Sequence, residues 1–309
     1  MRVRELLRGI PLPGIVQHEA RRALPYALLL AVGLGVVVTA GAQYSNAFPS
    51  EKAPFGWPGP ASFENAVAMV RSDLVLAASL PALLLGARAL AGREPAGGRK
   101  AEDPDAPEGA SRTREDGRSF LLQVYGIHAA LLALAVVLGG ALGAWGAGRT
   151  LFEAWQAFVT AHVVLVLSFY SLAFLWSSLL KEHALAAAAA TWLAFLAVYE
   201  AVTRTILFRS EGYHNLAGGA FPDWFWVAQG FSPLSSYTGI LILWRPRFRD
   251  YMESAALDGA ALPAWLVPAT FIALAAVLWI ALPLALSHVA WWRRGRAALR
   301  SAAVRATRA

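Results

Sequence analysis

Charge is what this chain has least of. Asp, Glu, Lys and Arg make up 15% of its 309 residues, against about 25% in ordinary soluble domains. Hydrophobic residues make up 57% and the mean hydropathy is +0.48. That balance excludes a conventional water-soluble globule and places the chain in a membrane. Cysteine is absent, which excludes disulfides, thiolate metal sites and cysteine nucleophiles and leaves the redox compartment unread. The sequence has no Gly-x-x-x-x-Gly-Lys-Ser/Thr loop to cradle nucleotide phosphates. It has no His-Glu-x-x-His metal helix and no Gly-x-Ser-x-Gly elbow. No catalytic residue, metal ligand or cofactor is therefore assigned, and the chain is read as a non-enzyme. The net charge of +7 suits either nucleic acid or a basic cytosolic face. In so apolar a chain the second reading is taken, with the lipid bilayer and no nucleic acid as partner.

The charge that is present is concentrated. Gly92 to Ser119 is the longest polar run, with Arg93, Arg99, Lys100, Arg112, Arg114 and Arg118 among Glu94, Glu102, Asp103, Asp105, Glu108, Glu115 and Asp116. Pro95, Pro104, Pro107 and interspersed glycines oppose a long helix, and no apolar period gives it a core to join. It reads as a polar loop around which apolar spans are arranged.

About 20 apolar residues cross the hydrocarbon layer. On that measure the spans fall at Leu24–Gly41, Val67–Leu90, Phe120–Gly148, Ala154–Leu180, Ala184–Leu207 and Trp265–Val289. Ala40-Gly41-Ala42 would also suit signal cleavage, but the polar leader before the apolar core is long for that. Gly139-x-x-x-Gly143 allows close helix approach. Pro268 and Pro283 read as kinks in the last span. Trp224 to Trp244 is free of charge but rich in Ser, Gly and Pro, and reads as interfacial or partly re-entrant. Ile15 to Ala23, after the breaks at Pro11, Pro13 and Gly14, reads as a short helix lying in the membrane surface or as an unstructured basic arm.

The expected fold class is thus an all-α integral membrane protein of six transmembrane helices with an N-terminal interfacial helix. Its expected parts are a cytosolic arm (1–23), the first two spans (24–91), a cytosolic polar loop (92–119), and spans three to five (120–207). An extracytoplasmic or re-entrant segment (208–262), the sixth span (263–290) and a cytosolic basic tail (291–309) follow. Arginine asymmetry sets the orientation. Arg2, Arg4, Arg8, Arg21 and Arg22 in the arm, the polar loop, and Arg293, Arg294, Arg296, Arg300, Arg305 and Arg308 in the tail all favour the cytosol. Arg245, Arg247 and Arg249 run against this pattern, since they fall outside.

Polar residues inside spans are functional candidates. Glu200 and Arg204 are four apart and share a helix face, either as a structural clasp or as the lining of a transport path. His128 and His162 lie within spans and are either hydrogen-bonded core histidines or part of a path or metal site.

Several short segments resemble the permease subunits of ABC-2-type ABC transporters. Glu19-Ala20-Arg21-Arg22 is similar to that family's glutamate-then-basic segment before the first span. Gly86-Ala87-Arg88-Ala89-Leu90-Ala91-Gly92-Arg93-Glu94 resembles its glycine-glutamate turn after the second span. Ser111-Arg112-Thr113, Ser177-Ser178-Leu179 and Phe231-Ser232-Pro233-Leu234 resemble its segments at the start of the third span, the exit of the fourth and before the last. The family follows its glycine-glutamate turn with Gly-Thr and a Leu-rich amphipathic helix; here Pro95 and the charged insert stand instead. The resemblance implies cytosolic termini in the cytoplasmic membrane, a permease homodimer or heterodimer, and a separate ATPase subunit that supplies the energy of transport. It also places partner contacts at Glu19, Arg21, Arg22, Arg93, Glu94, Arg112 and Arg114. A non-transporting assembly or anchoring protein is the competing function.

Overall fold

The structure, a computed structural model, describes residues 14–47, 62–91, 93, 113–148, 150–217, 221–245, 248 and 263–306. Among these there are helices and turns and no strand. Four helical stretches are long and apolar enough to cross a membrane: Gly14–Tyr44, Phe120–Ala147, Phe152–Ser210 and Pro268–Ala297. A bent pair, Phe63–Met69 with Arg71–Arg88, raises the number to five.

Helix α1 runs unbroken from Gly14 to Ala47. The expected short surface helix at Ile15 to Ala23 is not separate from the first span: these residues form the first turns of α1. Glu19, Ala20 and Ala23 are buried against other helices, so packing holds this segment in the bundle. At 34 residues and 1.5 Å per residue, α1 is about 51 Å long, more than the ~30 Å that one crossing needs.

The second apolar stretch is two helices, α2 (Phe63–Met69) and α3 (Arg71–Arg88), bent by 78°. Ser62 caps α2 by accepting from the amide of Asn65 at 3.2 Å. Helix α1 presses on the corner at Val70. A Cβ on Gly41 would lie 2.7 Å from the Ala66 carbonyl oxygen and 2.9 Å from Val70 Cγ1.

Helix α4 (Thr113–Ala147) begins seven residues before the expected Phe120, so the polar run is helical at its C-terminal end. It ends on Gly148 at φ +82°, a left-handed cap whose amide returns to the Ala144 carbonyl at 3.2 Å. The α1–α4 seam is made by glycine. A Cβ on Gly139 would meet the Ala31 carbonyl oxygen at 2.8 Å, and one on Gly143 would meet Val38 Cβ at 2.8 Å.

Helix α5 (Phe152–Leu180) is the central element. It packs on α3 and α4, and on α6, α9 and α11 introduced below. Phe158, Phe169, Tyr170 and Phe174 on it are wholly buried. After a tight turn at Lys181–His183, with Lys181 at φ 44°, come α6 (Ala184–Leu193), a π-helical segment Ala194–Tyr199, and α7 (Glu200–Ala217). The turn is a reversal. Trp176 Nε1 donates to Thr191 Oγ1 at 2.9 Å across 15 residues, which would lie about 22 Å apart along one continuous helix.

Helices α8 (Asp223–Gly230) and α9 (Pro233–Trp244) form a second reversal, with Ser232 as N-cap and Pro233 at the first helical position. Tyr237 meets His162 at 3.2 Å and Arg245 meets Glu153 at 2.8 Å, so α9 runs antiparallel to α5. Pro233, four residues before Tyr237, therefore lies near the midpoint of α5. Helix α9 leaves at the Glu153 end. With 12 residues, α9 is about 18 Å long, too short to cross.

The last stretch comprises α10 (Pro268–Ala275), a π-helical segment Ala276–Ala281, and α11 (Leu282–Ala306). Pro268 does not kink this helix; it occupies the first turn, where a missing N–H costs nothing. Pro283 follows the π segment, in the first turn of α11. The helix continues through most of the basic tail, to Ala306.

Side-chain contacts define two ends of the bundle. At one end Glu19 meets Arg93, Arg22 donates to the Arg88 carbonyl, Phe120 stacks on Trp291, and Arg294 donates to the Leu179 carbonyl. The start of α1, the exit of α3, the start of the apolar part of α4, the α5–α6 turn and the tail helix thus share that end. Glu64, Glu153, Arg245 and Phe248 share the other.

Candidate functional site

Among the described residues, a polar cluster sits at the end shared by the start of α1, the exit of α3 and the tail helix. It is built on Glu19, in the second turn of α1, whose side chain is 1% exposed. Past α3 the chain makes a tight turn, Ala91 N to Arg88 O at 3.3 Å and Arg93 N to Leu90 O at 3.2 Å. That turn brings Arg93 back over α1, with its Nη2 2.5 Å from Glu19 Oε1. The guanidinium carbon lies 5.2 Å from the centre of the Phe120 ring, which covers the pair from the α4 side.

The other carboxylate oxygen faces α4. His128 Nε2 lies 3.3 Å from Glu19 Oε2, within charge-pairing range but not aligned as a hydrogen bond. His128 Nδ1 is 2.9 Å from the Tyr170 hydroxyl of α5. Tyr125, whose ring centre is 5.3 Å from that of Tyr170, bonds Ser171 Oγ at 2.7 Å. The Tyr170 level is fixed by Gly86 of α3, where a Cβ would lie 2.6 Å from the Tyr170 carbonyl oxygen. Beside the cluster, Arg88 donates to Tyr26 at 3.0 Å and Arg22 donates to the Arg88 carbonyl at 3.2 Å.

Chemically this is a charge clasp. One carboxylate on α1 holds the chain leaving α3 directly and α4 and α5 through His128 and Tyr170. Each of the two charges offsets the other's loss of water. Breaking such a pair by removing one member costs about 3–5 kcal/mol in buried settings, whereas removing both is far less costly.

Of the residues singled out from sequence, Glu19 and Arg93 are brought into contact and Arg22 stands beside them on Arg88. Arg21 is exposed. Glu94 and Arg112 lie outside the described residues, and Arg114 is on the first turn of α4 with its side chain likewise outside them. Glu200 and Arg204 lie 3.4 Å apart on α7. Arg204 is 69% exposed and Glu200 28%, and Ser235 Oγ of α9 donates to Glu200 at 3.2 Å. Glu200 thus turns toward the hairpin while Arg204 stays at the surface. His162 is satisfied in the core by the Phe158 carbonyl at 2.8 Å and Tyr237 at 3.2 Å.

Sequence reasoning missed Tyr170, Tyr125 and the opposite clasp. Arg245 lies 3.2 Å from Glu64 and 2.8 Å from Glu153. A tyrosine in an apolar run must find a partner for its hydroxyl, but the sequence does not say which. Arg245, which ran against the arginine asymmetry, is neutralised where it stands by two acids from distant elements.

No protein-family model matches the chain, and no curated protein matches it.

Proposed function

We propose that the chain is the membrane-spanning permease subunit of an ABC transporter of the ABC-2 type. It has six crossings with both termini in the cytosol and moves its substrate with energy from a separate ATPase subunit. The observation that carries this reading is the Glu19–Arg93 clasp. It joins the segment before the first span to the exit of the second, the two places where the sequence resemblance expects the ATPase to press. Through His128 and Tyr170 that point is joined to α4 and the central helix, so a displacement at the surface moves the bundle.

The bundle ends support the orientation. The start of α1, the α5–α6 turn and the tail lie together, as an even number of crossings requires. Six crossings follow if the bent α2–α3 pair counts as one and the Phe152–Ser210 stretch, doubled back at Lys181, counts as two. The α8–α9 hairpin reaches half depth and adds none. Arg21, Arg22, Arg88, Arg93, Arg293 and Arg294 then face the cytosol.

Affinity purification in mild detergent tests the reading. An ATPase carrying a phosphate-binding loop is expected to copurify and to hydrolyse ATP in the complex. A chain that purifies with no ATPase under those conditions returns the function to an anchoring protein.

A further inference from the structure

Helix α11 does not stop where the membrane does. Counted from Pro268, ~30 Å of hydrocarbon is crossed in about 20 residues, ending near His288. Arg294, about 9 Å further along, donates to the Leu179 carbonyl beside the polar Lys181–His183 turn. Yet the helix runs on to Ala306, and its two sides differ. Trp291 and Arg294 face the bundle, Trp291 being 7% exposed and stacked on Phe120. On the other side Arg293, Arg296 and Arg300 are exposed and fall within about 60° of one another at 100° per residue. Trp292 lies under them, with the Arg296 guanidinium 3.5 Å from the centre of its ring. No acid occurs anywhere from residue 263 to residue 309 to neutralise the stripe.

Depth decides what meets it. The headgroup layer is about 5–8 Å thick on each side. Measured along α11 from His288, Arg293, Arg296 and Arg300 lie at about 7.5, 12 and 18 Å. Arg293 therefore stands at the outer edge of the headgroup layer, and Arg296 and Arg300 follow within about one Debye length of it, where basic groups are still drawn to an anionic surface and long side chains reach back toward it. Guanidinium forks match phosphate oxygens bidentately. We infer that the Arg293–Arg296–Arg300 stripe is a binding site for anionic phospholipid headgroups on the leaflet facing the tail. The inference rests on the membrane-spanning reading, not on transport.

The test is native mass spectrometry of the delipidated full chain, titrated with phosphatidylglycerol or phosphatidylcholine of the same acyl chains. The wild type is expected to prefer phosphatidylglycerol by about tenfold or more, since each basic group near an anionic surface contributes strongly. R293Q/R296Q/R300Q is expected to lose that preference and R293K/R296K/R300K to keep most of it. R300Q alone is expected to reduce it in a chain whose apolar packing is untouched. Inorganic phosphate is expected not to displace the lipid. Equal binding of the two lipids by the wild type, a preference surviving in the glutamine variants, or displacement by phosphate would overturn the site. Failure to retain either lipid would instead overturn the membrane reading beneath it.

Discussion

At the scale of single residues the fold turns on charges that have nowhere else to go. Glu19 and Arg93 are 74 positions apart and no local spacing connects them. Each was legible only as a charge beside an apolar run that had to be satisfied. Glu19→Gln and Arg93→Gln should each lower the thermal midpoint in detergent, by an amount equivalent to about 3 kcal/mol. The double variant should recover much of the loss, and additive losses would show that the two do not act as a pair. The contrast is Glu200 with Arg204, which the four-residue spacing did reveal. Because Arg204 is 69% exposed, the pair is worth at most about 1 kcal/mol. Arg204→Gln should leave the same melting curve within a degree or two. A large drop would mean that Arg204 meets a partner beyond this chain.

At the scale of elements, apolar length located the helices and their ends escaped it. The polar run was read as loop to Ser119, but helix begins at Thr113, because a long helix to propagate outweighs one glycine at 117. The bend at Val70 carries no proline or glycine of its own. Its signal lies on the opposing helix, at Gly41. The half-depth hairpin was partly readable, because Ser232-Pro233 after Gly230 is a helix start whatever surrounds it. The two π-helical segments gave no sequence signal. The glycine seam was legible as a spacing, and its partner was not. Gly143→Leu should force α1 and α4 apart, with the 1–3 kcal/mol or more that overpacking costs, seen as a loss of monodisperse protein on size-exclusion chromatography. Gly126→Ala, on the same helix with nothing within 4 Å of the added carbon, should be neutral or slightly stabilising. Equal behaviour of the two would remove the seam from the account.

At the scale of the whole molecule, composition gave the class and the structure joins the ends. Lack of cysteine makes the chain its own background for single-cysteine labelling. With a membrane-impermeant maleimide on intact cells, Leu151→Cys and Asp223→Cys should react, while His18→Cys, Glu182→Cys and Val304→Cys should react only after lysis. A tail labelled from outside would end the six-crossing topology. The central claim is that the clasp carries movement between an ATPase and the bundle, and it is tested most directly by ATP hydrolysis in the reconstituted complex with the E19Q/R93Q double variant. Removing both charges costs far less than removing one, so the account predicts yield and partner binding close to wild type, with transport-linked stimulation of hydrolysis reduced about tenfold or more. Stimulation unchanged in a well-folded double variant would show that the clasp only holds the helices together.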